Sequence, residues 1–159
     1  MSATPRRVIT ATIGILALGA FPSTAVASPG TGLTVTTLVT AKLEQDLHAK
    51  GDRIKLQTEV PTTVRVQNIV FAPGAVTGWH HHPGIVLVAV ASGSVTVWDS
   101  ECNPTTYGPT SPAGAAFAES GDDALQVTSA GGASVYATYV VPRVDPPQFR
   151  IEAEAPRCA

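Results

Sequence analysis

The sequence is poor in charge, in cysteine and in apolar runs of membrane-spanning length. Lysine and arginine number ten, aspartate and glutamate twelve, among 159 residues, and neither sign gathers into a stripe or block. That distribution excludes the basic footprint of a nucleic-acid-binding protein. The apolar stretch from Val8 to Ala20 is shorter than the roughly 20 residues a spanning helix needs. With Arg6 and Arg7 before it and Ala25-Val26-Ala27 after it, this stretch reads as a secretory signal over residues 1–27. Cleavage before Ser28 would send the protein to the cell envelope or outside the cell. The remaining chain would carry a net charge of −4 and no membrane segment. No G-x-S-x-G elbow offers a nucleophile for covalent hydrolysis, no glycine-rich loop is built for phosphate, and no internal repeat is present.

Cysteine occurs twice, at Cys102 and Cys158. An exported chain meets an oxidising environment, so an intramolecular disulfide between the two is the first expectation. Two free thiols, or an intermolecular bond through Cys158, are the alternatives.

What the chain does have is turn residues, 14 glycines and 13 prolines, set between short alternating segments. After a Gly/Pro/Thr-rich linker over 28–40, the four-residue spacing of Leu43 and Leu47 suggests a short helix over 41–50, closed by Gly51. Beyond it the period becomes two. Strands are expected at 53–58, 64–71, 76–82, 85–91, 94–99, 115–118, 125–129 and 135–141, in one domain over 41–159. This is an all-β pattern of the sandwich or barrel kind. Residues 85–91 are apolar at every position, so one face should line the core and the other should meet a second layer or a second copy in a homodimer.

The chemistry gathers at Gly74-Ala75-Val76-Thr77-Gly78-Trp79-His80-His81-His82-Pro83-Gly84. In an extended strand alternate side chains share a face, so His80 and His82 point together and His81 points away. Two imidazoles hold a transition metal weakly unless further ligands close the site. His48 reads as a solvated residue. Trp79, Trp98, Tyr107 and Phe117 could line a pocket or simply fill the core. Glu119, Asp122 and Asp123 sit near a turn, where acid/base work and ordinary turn formation compete as explanations.

The run from Gly74 to Gly93 resembles the first motif of the cupin superfamily, G(X)5HXH(X)3-4E(X)6G. Every spacing fits, and Val86 stands where the motif has its glutamate. Pro112-Ala113-Gly114 is similar to the centre of the second motif, G(X)5PXG(X)2H(X)3N, whose histidine position falls on Phe117. An alternative register places that position within 124–126, where Gln126 is the only residue with an oxygen to offer, and Asp122 or Asp123 are further oxygen donors if their turn folds inward. The resemblance implies a small jelly-roll barrel with an internal site, lined by Trp79, Val86 and Phe117. It implies a metal held by His80, His82 and Gln126. Without a carboxylate at position 86, imidazole-favouring ions such as Cu, Zn or Ni are expected ahead of Fe, or no metal at all. The functional expectation is a secreted cupin that binds a small molecule. A dioxygenase- or isomerase-like enzyme and a metal-free structural module of the cell envelope are the alternatives.

Overall fold

A computed structural model describes residues 30–157. The signal segment and Cys158 therefore lie outside the described residues. Twelve strands run in chain order: β1 (Thr31–Leu43), β2 (His48–Lys50), β3 (Lys55–Gln57), β4 (Thr62–Val76), β5 (His80–His81) and β6 (Ile85–Gly93) form the first half. The second half is β7 (Val95–Trp98), β8 (Pro104–Tyr107), β9 (Ala116–Ser120), β10 (Gln126–Ser129), β11 (Ala133–Pro142) and β12 (Ile151–Glu152).

Eight of these make one sheet in the order β8-β7-β10-β4-β11-β6-β9, with β1 also pairing on β4. The sheet curls into a nearly closed jelly-roll barrel. β4 is its spine: residues 62–71 carry β11 on one side and β1 on the other, and beyond Gly74, at φ 79°, residues 75–76 turn to pair with β10. A proline and a left-handed glycine bend the strand there without ending it, where the sequence suggested a break.

The described residues contain no helix. The short helix expected over 41–50 is instead the end of β1, a bend, and β2. Leu43 pairs with Thr62, and Leu47 is tied to Thr58 through both backbone and side chain. One apolar i,i+4 pair cannot repay the nucleation cost of so short a helix, whereas a sheet ladder satisfies every backbone group it passes. The supposed linker is likewise strand from Thr31 onward, held by a ladder on β4, as its threonines and valines favour.

Inward-facing residues stack in layers across the paired strands. Ile69, Val135 and Val90 share one level through their registers, and Phe71 pairs with Ala133 below them. One level up lie Gln67, Ala137, Val88 and Phe117, and above those Arg65, Tyr139, Val86 and Glu119. Over these layers the barrel interior runs from apolar to charged, and the buried Thr63 and Val141 pair beyond them. On β6 the alternation is complete: Val86, Val88 and Val90 are buried, while Ile85 and Leu87 face outward and exposed. The outer face of this strand therefore meets no second layer among the described residues. Gly93, the closing glycine of the first motif, has φ 71°, and a Cβ there would lie 2.1 Å from the Gly132 carbonyl oxygen.

Candidate metal centre

The charged layer is where the chemistry lies. Pleating aims His80 and His82 into the barrel, where they are 4% and 3% exposed with ring centroids 4.9 Å apart and planes perpendicular. Their Nδ1 atoms are committed: that of His80 donates to the Gly78 carbonyl at 2.9 Å and that of His82 to the Phe149 carbonyl at 2.6 Å. A carbonyl can only accept, so each ring carries a proton on Nδ1, and the neutral form of each presents a bare Nε2. Burial, followed by the charge of Arg150, pushes the His80 pKa down to about 3, which keeps this imidazole in its ligating form.

Glu119 completes the cluster. It lies on β9, directly opposite Val86, and is 6% exposed. The sequence put this residue near a turn. The structure places it inside a strand, one residue past the predicted strand end, with the turn beginning at Gly121. The missing motif carboxylate is thus present, supplied by the neighbouring strand at the paired position. One ligand atom each from His80, His82 and Glu119 lie within 4.8 Å of one another. These three residues could hold a metal ion, so the premise that the site lacks a carboxylate is corrected. Two histidines and a carboxylate suit borderline divalent metals and leave positions open.

The arrangement passes a further test of fit. His82 Nε2 is 2.9 Å from Glu119 Oε2, yet the contact lacks hydrogen-bond geometry and the buried nitrogen has no hydrogen-bond partner. Left without a hydrogen bond in a buried site, that nitrogen beside a carboxylate oxygen is costly. A cation shared with His80 relieves it.

The other sequence candidates divide. Phe117 lines the cavity and stacks on Tyr107, with ring centroids 4.7 Å apart. Gln126 does not face it: Val127, its neighbour on β10, lines the cavity, and strand alternation sends Gln126 to the opposite face. Trp79 alternates with His80 in the same way, and is buried behind the site with its carbonyl accepting from the Ala153 amide. Val86 is fully buried between Tyr139 and Glu119 without lining the cavity. His81 faces Asp122 at 4.0 Å, away from the cavity. Asp122 and Asp123 are exposed. Cys102 lies in the turn before β8 at φ 68°. One signal could have found Glu119: it is two residues beyond the second-motif position at Phe117, and in a strand that spacing keeps the same face.

The C-terminal segment supports the ligands from behind. β12 pairs with β5, setting Glu152 opposite His80 and Ile151 opposite His81. Arg150 donates to the Thr77 carbonyl at 2.7 Å and grips Glu152 through Nε and Nη2 at 2.6 and 2.9 Å. That bond holds the Glu152 carboxyl below its usual range. Tyr139 packs edge-on against both His82 and Phe149, and burial, then the Glu119 charge, pushes its phenol up to about 12. Arg150, Glu152, Tyr139 and Phe149 border a cavity of about 380 Å³ whose deeper wall includes Phe71, Val88, Val95 and Val127.

This architecture is similar to that of several solved structures. A cupin-2 domain from Rhodospirillum rubrum matches with a TM-score of 0.50 at 15% identity, over 80% of this chain and 71% of that one. A cupin superfamily protein from Desulfitobacterium hafniense matches at 0.48 and 11%, over 73% of this chain and 84% of that one. Salicylate 1,2-dioxygenase from Pseudoaminobacter salicylatoxidans, as an adduct with gentisate, matches at 0.47 and 14%, over 71% of this chain but only 26% of its own. No protein-family model and no curated protein matches the sequence. The chain has the cupin fold. At these identities the likeness defines the architecture alone, and the chemistry rests on the residues described above.

Proposed function

We propose that this protein binds a small molecule beside a divalent transition metal held by His80, His82 and Glu119. The observation that carries this reading is the buried Nε2 of His82, without a hydrogen-bond partner, set 2.9 Å from a buried carboxylate oxygen while the Phe149 carbonyl holds Nδ1. Backbone acceptors behind both imidazoles orient them as the outer shell of a metal site does. The three ligands leave coordination positions open toward the cavity. Elemental analysis of untagged protein, as purified and after soaking with Fe(II), Zn(II), Ni(II) or Cu(II), tests it. About one ion per chain, lost in His80→Ala/His82→Ala, is expected; metal near zero after every soak would overturn it.

Glu119 also favours a second reading, a metal-dependent enzyme of dioxygenase or isomerase type. The bound ion would supply Lewis acidity at its open positions. The chain's own part would be to exclude water with the apolar wall and to offer the neutral Tyr139 hydroxyl as a hydrogen-bond donor. Product formation that disappears in Glu119→Gln would support this reading.

Three further expectations belong here. Export through residues 1–27 predicts mature protein beginning at Ser28, readable by N-terminal sequencing of secreted material. A bridge between Cys102 and Cys158 predicts no reactive thiol in unfolded, unreduced protein. The exposed outer stripe of Ile85, Leu87 and Tyr136 supports a homodimer, which light scattering tests.

A further inference from the structure

Arg65 is the cavity's unpaired charge. Inward-facing side chains line the barrel in layers, and Arg65 shares one with Tyr139 and Glu119. Its Nε donates to Thr40 Oγ1 at 3.1 Å, and its guanidinium carbon lies 3.5 Å above the centre of the Phe149 ring. Neither terminal nitrogen has a protein partner among the described residues, and no carboxylate there lies within ion-pairing reach. The contrast with Arg150 is direct. Arg150 lines the same cavity, but Glu152 already neutralises it through two bonds.

A half-buried guanidinium stacked on an aromatic ring is held flat, with its fork of donors free for a planar oxyanion. The Tyr139 hydroxyl, in register beside it on β11, is a second donor, and no protein acceptor takes it among the described residues. Below these donors the wall loses polarity within two layers, through Gln67 to Ile69 and then Phe71. A ligand matching this gradient has one anionic end and an apolar body. At roughly 30 Å³ for each water-sized group, the cavity of about 380 Å³ holds about a dozen heavy atoms.

We propose that the cavity selects an amphipathic monocarboxylate, its carboxylate anchored by Arg65 and Tyr139 and its apolar body laid against the deeper valine and phenylalanine wall. The inference deepens the reading of the cavity as a ligand site beside a metal, and rests on it for the ligand's place but not for the anchor.

The test compares 4-phenylbutyrate with its neutral amide, 4-phenylbutyramide, by calorimetry on the protein loaded with Zn(II) as a redox-inert probe ion. The acid should bind about 10- to 100-fold more tightly than the amide, the range expected when a charge-assisted bond is lost. Arg65→Gln should erase the preference at unchanged zinc content, and Arg65→Lys should keep part of it. Equal binding of the two compounds by the wild type, or binding of neither, overturns the proposal without any variant. So does an Arg65→Gln protein that still holds zinc and still prefers the acid, because the metal would then be the anchor. A wild type that takes up no zinc yet prefers the acid, with that preference lost in Arg65→Gln, sustains the anchor and refutes the metal centre.

Discussion

Glu119→Gln separates a metal ligand from a buried acid of merely structural use. The substitution keeps the shape and removes the charge. Loss of an outer-shell partner weakens metal sites by about 10- to 100-fold, so loss of the one charged ligand should cost at least about 100-fold. At a metal concentration of 100 times the wild-type dissociation constant, binding stabilises the fold by about 2.7 kcal/mol. A 100-fold weaker site at the same concentration is half filled and contributes only about 0.4 kcal/mol. With roughly 4 °C in Tm per kcal/mol for a domain of this size, a metal-induced rise of about 11 °C should fall to about 2 °C. The assay is a pair of thermal melts with and without metal, checked by elemental analysis. Glu101→Gln, on the exposed turn between β7 and β8, serves as the control. Because Val86 and Glu119 are cross-strand partners, with Cβ atoms about 5 Å apart, Val86→Glu/Glu119→Val should restore part of the shift. A Glu119→Gln protein with an undiminished rise in Tm would refute the assignment of the carboxylate as a ligand.

The metal-free protein should lose stability in acid because of His80, whose pKa falls from 6.5 to about 3 on folding. The unfolded chain takes the proton first, so stability is intact above pH 6.5 and drains by about 4–5 kcal/mol as pH falls toward 3. Denaturant titrations of His80→Gln should show a flatter slope across that window, and an unchanged slope would sink the attribution. Truncating the chain before residue 149 takes away the carbonyl that orients His82 and the strand that backs β5. Metal affinity should drop by about 10- to 100-fold while far-ultraviolet circular dichroism still reports the barrel. Gly93→Ala should destabilise the fold by more than about 2 kcal/mol, since it combines a left-handed backbone with a Cβ 2.1 Å from a carbonyl oxygen. A melt within 1 °C of wild type would contradict that.

Local pattern was enough for the alternating strands and for the convergence of His80 and His82, because pleat geometry depends only on neighbours in the chain. It was also enough for the all-β class. It misread β1, whose threonines and glycines look like linker until β4 offers a ladder, and it read a helix where only two leucines shared a face. For Glu119 the only local signal was its two-residue spacing from Phe117, which gives a strand face but not a place beside the histidines. Glu119 reaches the metal centre only because β9 pairs with β6 in the register that sets it opposite Val86, and nothing in the spacing between 86 and 119 specifies that pairing. The same holds for the Phe149 carbonyl behind His82 and for Arg65 stacked on the Phe149 ring. Side-chain period is a property of a strand by itself; which strand brings its charge to a given layer is decided when the barrel closes.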